Sequence, residues 1–194
     1  METLGKLFGS EAKVKIMKLF LFNSGQVFTP KEIAERVKEK TSKVRREMTQ
    51  LEKMHFVRRR SVSRRGKSTH GYIMDPKFTY LSSLQSFLVN VEPLNSKEII
   101  KKVSRLGNIK LIITAGVFIQ EAESRADILI VGDNVKRASL EKTIQNLESE
   151  IGKELRYAYF TTEDFKYRLN MYDKLARDIL DYPHRKVLNK LGIS

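Results

Sequence analysis

The chain has 194 residues, of which 41% are hydrophobic and 31% are charged, a balance typical of a soluble globular protein with one large or two small domains. The lack of cysteine excludes disulfides and cysteine-ligated zinc, and three scattered histidines do not form a metal-binding cluster, so we expect no metal and no cofactor. The net charge of +14 comes mostly from residues 1–90, which hold 19 basic and 8 acidic residues, and this excess indicates a polyanionic partner for the N-terminal half.

The N-terminal sequence shows no pattern of export or membrane insertion. Its first 15 residues contain no apolar signal-peptide core. The longest apolar run nearby, residues 16–22, is interrupted by Lys18 and is far shorter than the ~20 residues that a membrane span requires. We therefore expect a cytoplasmic protein with no membrane partner.

Capping residues mark the start of two helices early in the chain. Ser10 is a good N-cap in front of an apolar segment, so we expect a helix from about this residue, after a short lead. Thr29 and Glu32 form the pattern of a capping box with Pro30 at the first helical position, which predicts a second helix over residues 30–38. Residues 38–42 then supply a turn.

Residues 42–54 predict a third helix with one apolar and one polar face. Val44, Met48, Leu51 and Met54 recur at spacings of four, three and three, so this stripe should face a core. The opposite face carries side chains that can bond phosphates and base edges, and these are candidate DNA-binding residues. They are Ser42, Lys43, Arg45, Arg46, Thr49, Gln50 and Lys53.

The third helix is followed by a strongly basic hairpin. Residues 55–60 and 69–73 predict two short strands around a loop formed by residues 61–68. No acidic residue lies between Glu52 and Asp75, whereas an ordinary exposed face mixes both signs of charge. The further candidate DNA-binding residues are Arg58, Arg60, Arg64, Arg65 and Lys67.

Two helices, a turn, a third helix and a basic hairpin follow one another in this order, and residues 4–78 therefore resemble a winged helix-turn-helix domain. The resemblance implies double-stranded DNA as partner, with the first residues of the third helix in the major groove and the hairpin along the backbone or in a minor groove. Residues 78–88 predict a linker helix that packs on the first domain or on a second copy. We expect a homodimer, because members of this family commonly read two half-sites.

The second half of the chain alternates helices and strands. Pro93 interrupts the helical pattern and sets the domain boundary at residues 91–94, which gives domains at 1–90 and 91–194. Helices are predicted at residues 96–106, 136–151, from 161 and at 172–180, and strands at residues 110–115, 126–131 and 154–160, with residues 187–191 closing the chain. This is the pattern of an α/β layer structure.

Residues 109–133 resemble the core of the minimal nucleotidyltransferase fold of the DNA polymerase β superfamily. In that family a Gly-Ser pair holds triphosphate and an Asp-x-Asp pair holds magnesium for phosphoryl transfer. Here the corresponding pairs are Gly116-Val117 and Arg125-Ala-Asp127, so one hydroxyl and one carboxylate are missing. The resemblance therefore implies a fold without catalysis and without a metal. Gly116, Arg125 and Asp127 are candidate ligand-binding residues for an anionic small-molecule effector, held by Arg125 and backbone amides near Gly116.

The two carboxylates of this region also have structural interpretations. Asp127 is expected to bond to Arg125 or to a backbone amide at the start of a buried strand, and Asp133 to act in a turn.

The fold class expected from these patterns is a two-domain α+β and α/β protein, with an N-terminal winged helix-turn-helix and a C-terminal nucleotidyltransferase-like domain. Its expected function is that of a prokaryotic sequence-specific transcriptional regulator whose second domain serves dimerisation or ligand sensing. Two alternatives stay open at this point. One is a nucleotidyltransferase that acts on a small molecule, protein or RNA, and the other is an RNA-binding adaptor.

Overall fold

The computed structural model describes residues 2–64, 66–89, 96–121 and 123–193. These residues form nine α-helices and two small sheets, so the protein is of mixed helix and strand composition. The chain divides into two compact units, Met1–Val91 with Gln145–Lys153 (unit 1) and Glu92–Ile144 with Glu154–Ser194 (unit 2). Within the described ranges, no helix combines the length and the apolar character that crossing a membrane requires.

The first segment of unit 1 forms five helices and one antiparallel hairpin. In chain order they are α1 (Glu2–Phe8), α2 (Glu11–Phe22), α3 (Pro30–Val37), α4 (Thr41–Lys53), β1 (Val57–Arg64), β2 (Lys67–Met74) and α5 (Leu81–Leu88). The segment that was expected to be a short lead is the helix α1, whose Leu4 and Phe8 pack against the core of unit 1. That expectation was wrong because tertiary packing, not a capping signal, stabilises so short a helix.

The predicted helix starts are confirmed. The Ser10 hydroxyl accepts a hydrogen bond from the Lys13 amide at 3.3 Å in the first turn of α2. At α3 the Thr29 hydroxyl accepts from the Glu32 amide and the Glu32 carboxylate accepts from the Thr29 amide, which completes the capping box. Both caps satisfy amides that the helix itself leaves without an acceptor.

The apolar stripe of α4 reaches the core for three of its four predicted members. Val44, Met48 and Leu51 are fully buried, whereas half of Met54 is exposed. The prediction for Met54 was wrong because this residue caps the helix, and the chain turns away at His55, which has a φ of 59°. The helical spacing ends there, so the spacing no longer fixes the direction of the side chain.

The hairpin has longer strands and a tighter turn than predicted. β1 and β2 pair from Val57 opposite Met74 to Arg64 opposite Lys67, so most of the expected loop is paired strand. Gly66, with a φ of 75°, allows the reversal of the chain at the tip. Phe28 forms an isolated β-bridge with this hairpin, because its amide and carbonyl exchange hydrogen bonds of 2.9 and 2.8 Å with those of Tyr72.

The predicted linker helix packs on unit 1. α5 and the residues before it contribute Phe78, Leu81 and Leu84 to the apolar core of this unit, and Leu88 is fully buried. A contact between this helix and a second copy stays a prediction. The predicted boundary at residues 91–94 lies outside the described residues.

Unit 2 is built around a four-stranded sheet. Its elements are α6 (Ser96–Val103), β3 (Asn108–Thr114), β4 (Ile128–Asp133), the start of α7 (Arg137–Ile151), β5 (Tyr157–Phe160), α8 (Thr162–Asn170), α9 (Lys174–Asp181) and β6 (Arg185–Asn189). The strand order is β5-β4-β3-β6, with β4 and β5 parallel and the other pairs antiparallel. The last strand, β6, was not predicted as a strand, since its side chains are only partly buried and show no clear alternation.

Residues 145–153 group with unit 1, so unit 2 consists of two segments of the chain, and the domain bounds 1–90 and 91–194 stay a prediction. The Asn23 side-chain amide donates to the Gly152 carbonyl at 2.9 Å. Gly152 has a φ of 90°, and a Cβ at this position would overlap the backbone of Lys18 and Leu19 in α2. Gly152, which directly follows α7, therefore permits close packing of two backbone segments.

Candidate nucleic-acid interface

The polar face of α4 is exposed along its whole length. All seven candidate residues on this helix are solvent-exposed, and they are Ser42, Lys43, Arg45, Arg46, Thr49, Gln50 and Lys53. The helix therefore presents four cations and three neutral hydrogen-bonding side chains on one side and its buried stripe on the other. Such a face offers donors to phosphates and to base edges.

Carboxylates pair with two of the four cations on the exposed face of α4, Lys43 with Glu39 at 3.1 Å and Arg46 with Glu47 at 3.8 Å, and leave Arg45 and Lys53 without an ionic partner among the described residues. Glu47 is only 2% exposed and lies 3.7 Å from the Lys13 ammonium of α2. Glu52 forms a two-pronged ion pair with Arg59 of β1, at 2.8 Å from Nε and 3.1 Å from Nη2. The free charge of the helix surface is consequently positive.

The hairpin divides its arginines between two faces. Successive residues of a strand point to opposite sides, so Arg58 and Arg60 share one face of the ribbon and Arg59 lies on the other. Arg58 and Arg60 are exposed, while the hydrogen bond that Arg59 donates to the Glu52 carboxylate is the main cause that raises the pKa of Arg59. Of the three neighbouring arginines, Arg59 is thus the one tied to α4.

The remaining candidate residues of the hairpin lie near its tip. The register places Arg64 opposite Lys67 in the last pair of the ribbon. Arg65 lies outside the described residues. The backbone therefore brings two more basic positions to the end of the ribbon, and contact of any of these residues with DNA stays a prediction.

Glu39, in the turn before α4, is a positioning residue that sequence reasoning missed. Its carboxylate lies 3.4 Å from the Lys15 ammonium of α2 and 3.1 Å from the Lys43 ammonium of α4. Lys15 also donates to the Val37 carbonyl at the end of α3. The signal in the sequence was the four-residue spacing from Glu39 to Lys43, but the link to Lys15 depends on the fold.

The crevice of unit 2 brings Gly116 and Asp127 together. Asp127 is buried, and its carboxylate accepts hydrogen bonds from the Val117 and Arg156 amides, each at 2.9 Å. The Arg156 guanidinium adds a contact of 3.3 Å. Gly116 has a φ of 51°, and a Cβ there would overlap the Asp127 carboxylate. Both carboxylate oxygens are therefore occupied within the chain.

The expected bond from Asp127 to a backbone amide is confirmed, and the alternative bond to Arg125 is wrong. Arg125 instead pairs with Asp178 of α9 at 3.0 Å. The partner of Asp127 is Arg156, because Arg156 directly precedes β5, the parallel neighbour of the strand that Asp127 precedes. Arg125 is closer to Asp127 in the sequence, but Arg156 is its partner in the fold.

The backbone amides that were expected to hold an anion already have acceptors. The Gly116 amide donates to the Ser124 hydroxyl at 3.0 Å, and the Val117 amide donates to Asp127. The cleft lined by Arg125 and Asp178 beside them leaves no room for a water molecule. Ligand binding by Gly116, Arg125 and Asp127 stays a prediction, and it would require these contacts to open.

Asp133, at the end of β4, bonds to the start of α8. Its carboxylate accepts from the Thr162 amide at 2.9 Å and from the Thr162 hydroxyl at 2.8 Å. The amide hydrogen bond is the main cause that lowers the pKa of Asp133, followed by the hydroxyl bond. Asp133 therefore links the end of β4 to the start of α8.

In the part of the chain that the structure describes, no three histidine or acidic side chains form a group that could hold a metal ion.

No family model, curated protein or solved structure matches this chain. The functional assignment therefore rests on the charge distribution and the geometry of the residues themselves. Of the two regions, the exposed face of α4 with the hairpin has free cations and donors, whereas the crevice of unit 2 has its polar groups paired internally.

Proposed function

We propose that the protein is a sequence-specific DNA-binding regulator and that unit 1 reads the DNA. The observation that carries this proposal is a set of exposed cations with no carboxylate partner among the described residues, Arg45 and Lys53 on α4 and Arg58 and Arg60 on the hairpin. A surface of cations that are not neutralised by neighbouring carboxylates suits a polyphosphate backbone.

The arrangement of unit 1 supports the finer assignment to a winged helix-turn-helix fold. α2, α3 and α4 pack around one core, and the hairpin follows α4 and is bridged by Phe28 at Tyr72. In such a domain α4 is the recognition helix, and its N-terminal residues Ser42, Lys43, Arg45 and Arg46 approach base edges. Arg58 and Arg60 contact phosphates and set affinity rather than sequence preference.

For unit 2 we propose a nucleotidyltransferase-like fold that serves dimerisation or ligand sensing. The internal pairing of Asp127 supports a structural role for this carboxylate, because a metal-binding carboxylate needs free oxygen lone pairs. In this proposal unit 1 binds the DNA, and unit 2 serves dimerisation or ligand sensing.

The test is the salt dependence of duplex DNA binding, measured by fluorescence anisotropy. A double replacement of Arg58 and Arg60 with alanine should weaken binding to every duplex and lower the slope of log K against log salt by about 1.8, at roughly 0.9 per lost phosphate contact. The matched control replaces Glu52 and Arg59 with glutamine, which removes an equal number of charged groups but leaves the net charge unchanged. The control should keep the slope of the parent protein.

Two outcomes would contradict the proposal. An unchanged slope in the Arg58 and Arg60 variant would show that these cations do not meet phosphates. Displacement of duplex DNA by structured RNA at much lower concentration would favour the RNA-binding adaptor.

A further inference from the structure

Unit 1 contains a second feature, an apolar pocket on the side of α4 that carries the buried stripe. The pocket has a volume of about 420 Å³, within the range usual for small-molecule sites. Its floor is formed by the buried side chains of Met17, Leu51 and Phe56. The ring of Phe78 stands edge-on to Phe56 at 5.4 Å, and the exposed Tyr80 stands edge-on to Phe78 at 5.9 Å, so aromatic rings form one wall.

Lys13 is the one charged residue among those that line this pocket. Its ammonium has a single ionic partner in the described ranges, Glu47, at 3.7 Å. That distance exceeds a hydrogen bond, and the Glu47 oxygen concerned makes no hydrogen bond although it is buried. The pair is therefore loose, and the donors of Lys13 remain open to an acceptor that comes closer.

An apolar floor with one cation at its side selects for a particular ligand chemistry. A carboxylate on an apolar body could place its oxygens within hydrogen-bond distance of Lys13 while its body replaces water over Met17, Leu51 and Phe56. A cationic head group would be repelled by Lys13, and a neutral one would gain only an uncharged hydrogen bond. Occupants with two or more charges would leave all but one without a partner.

We propose that this pocket binds small amphipathic monocarboxylates, such as medium-chain aliphatic or aromatic acids. The site is separate from the crevice at Gly116 and lies wholly in unit 1. Leu51 of α4 and the C-cap residue Met54 line it, so a bound ligand touches the helix whose opposite face carries the cations. Binding of the acid does not depend on the proposed DNA function. Only an effect of the bound acid on DNA affinity would rest on that function.

The experiment is isothermal titration calorimetry of the full chain, without DNA, against octanoate, 1-octanol and octylamine. These probes share an eight-carbon chain and differ in the head group. We expect octanoate to bind at least about tenfold more tightly than 1-octanol, as a charge-assisted hydrogen bond provides, and octylamine to bind most weakly. Lengthening octanoate to decanoate should improve affinity by up to about fourfold per methylene group.

Three variants locate the site. Lys13→Met keeps the apolar stem and should reduce octanoate affinity about tenfold, to the level of 1-octanol. Glu47→Gln removes the competing carboxylate and should tighten octanoate binding. Lys15→Met is the matched control, because Lys15 lies in the same helix with similar exposure but pairs with Glu39, and it should leave octanoate affinity unchanged.

Equal affinity for octanoate and 1-octanol in the parent protein would overturn the proposal, as would a Glu47→Gln variant that binds octanoate more weakly. This second variant keeps the test valid if Lys13→Met does not fold. Self-association seen by sedimentation, together with no heat on adding octanoate, would assign the pocket to contacts between copies and would also overturn it.

Discussion

Replacing Asp127 with alanine should destabilise unit 2 by several kcal/mol. The carboxylate accepts from two backbone amides, those of Val117 and Arg156, and it is 1% exposed. A buried donor that loses its acceptor costs about 1–3 kcal/mol, so the two amides together account for roughly 2–6 kcal/mol. The ion pair with Arg156 adds at most about 1 kcal/mol, because half of the Arg156 side chain is in water.

The loss is large against the roughly 5–15 kcal/mol that stabilises an ordinary domain. Two units need not unfold together, so a single melting curve would not isolate the effect. Native-state amide hydrogen exchange in β3 and β4 measures the opening of unit 2 directly. Asp178→Ala is the matched control, since Asp178 pairs with the exposed Arg125 in the same unit and should cost less than about 1 kcal/mol.

Equal exchange rates in the two variants would refute this reasoning. That result would mean that water or other acceptors satisfy the Val117 and Arg156 amides, and that the Asp127 carboxylate is not needed to hold the loop at Gly116. The structural interpretation of the Asp127 carboxylate would then fail.

Three further predictions concern the DNA-reading helix, the strand end at Asp133 and the crevice. Arg46→Ala should relax preference at particular base pairs by about 1–3 kcal/mol, and binding-site selection that returns the parent motif at full strength would exclude a base contact. Asp133→Asn should be less stable than the parent at neutral pH. The pKa of Asp133 is lower in the folded than in the unfolded protein, so the charged carboxylate stabilises the fold fully above the unfolded value of about 3.9 and loses this effect as the pH falls through the folded value. The stabilities of Asp133→Asn and the parent, measured by denaturant unfolding at each pH, should therefore converge in acid. A difference in stability that does not change with pH would exclude the charge as its cause. Radiolabelled nucleoside triphosphates with magnesium should give no transfer, and turnover that Asp127→Ala abolishes would establish the enzyme alternative.

Short-range sequence patterns predicted most of the secondary structure. The Ser10 cap and the Thr29 capping box fixed helix starts, because these hydrogen bonds join residues only three positions apart. The candidate DNA-binding residues of α4 followed from helical spacing alone, and all are exposed. In contrast, α1 and β6 carry weak local signals and depend on packing against segments distant in sequence.

The sequence by itself determined where cations concentrate and which face of α4 is apolar, since charge and periodicity are properties of neighbouring residues. Only the tertiary structure decided which of those charges are neutralised. Arg59 differs from Arg58 and Arg60 because Glu52 lies beside one face of the hairpin, and Asp127 pairs with an arginine 29 residues away rather than with Arg125. Partners of this kind are chosen by the distance between folded segments, which no local pattern encodes, and the pocket at Lys13 arises for the same reason.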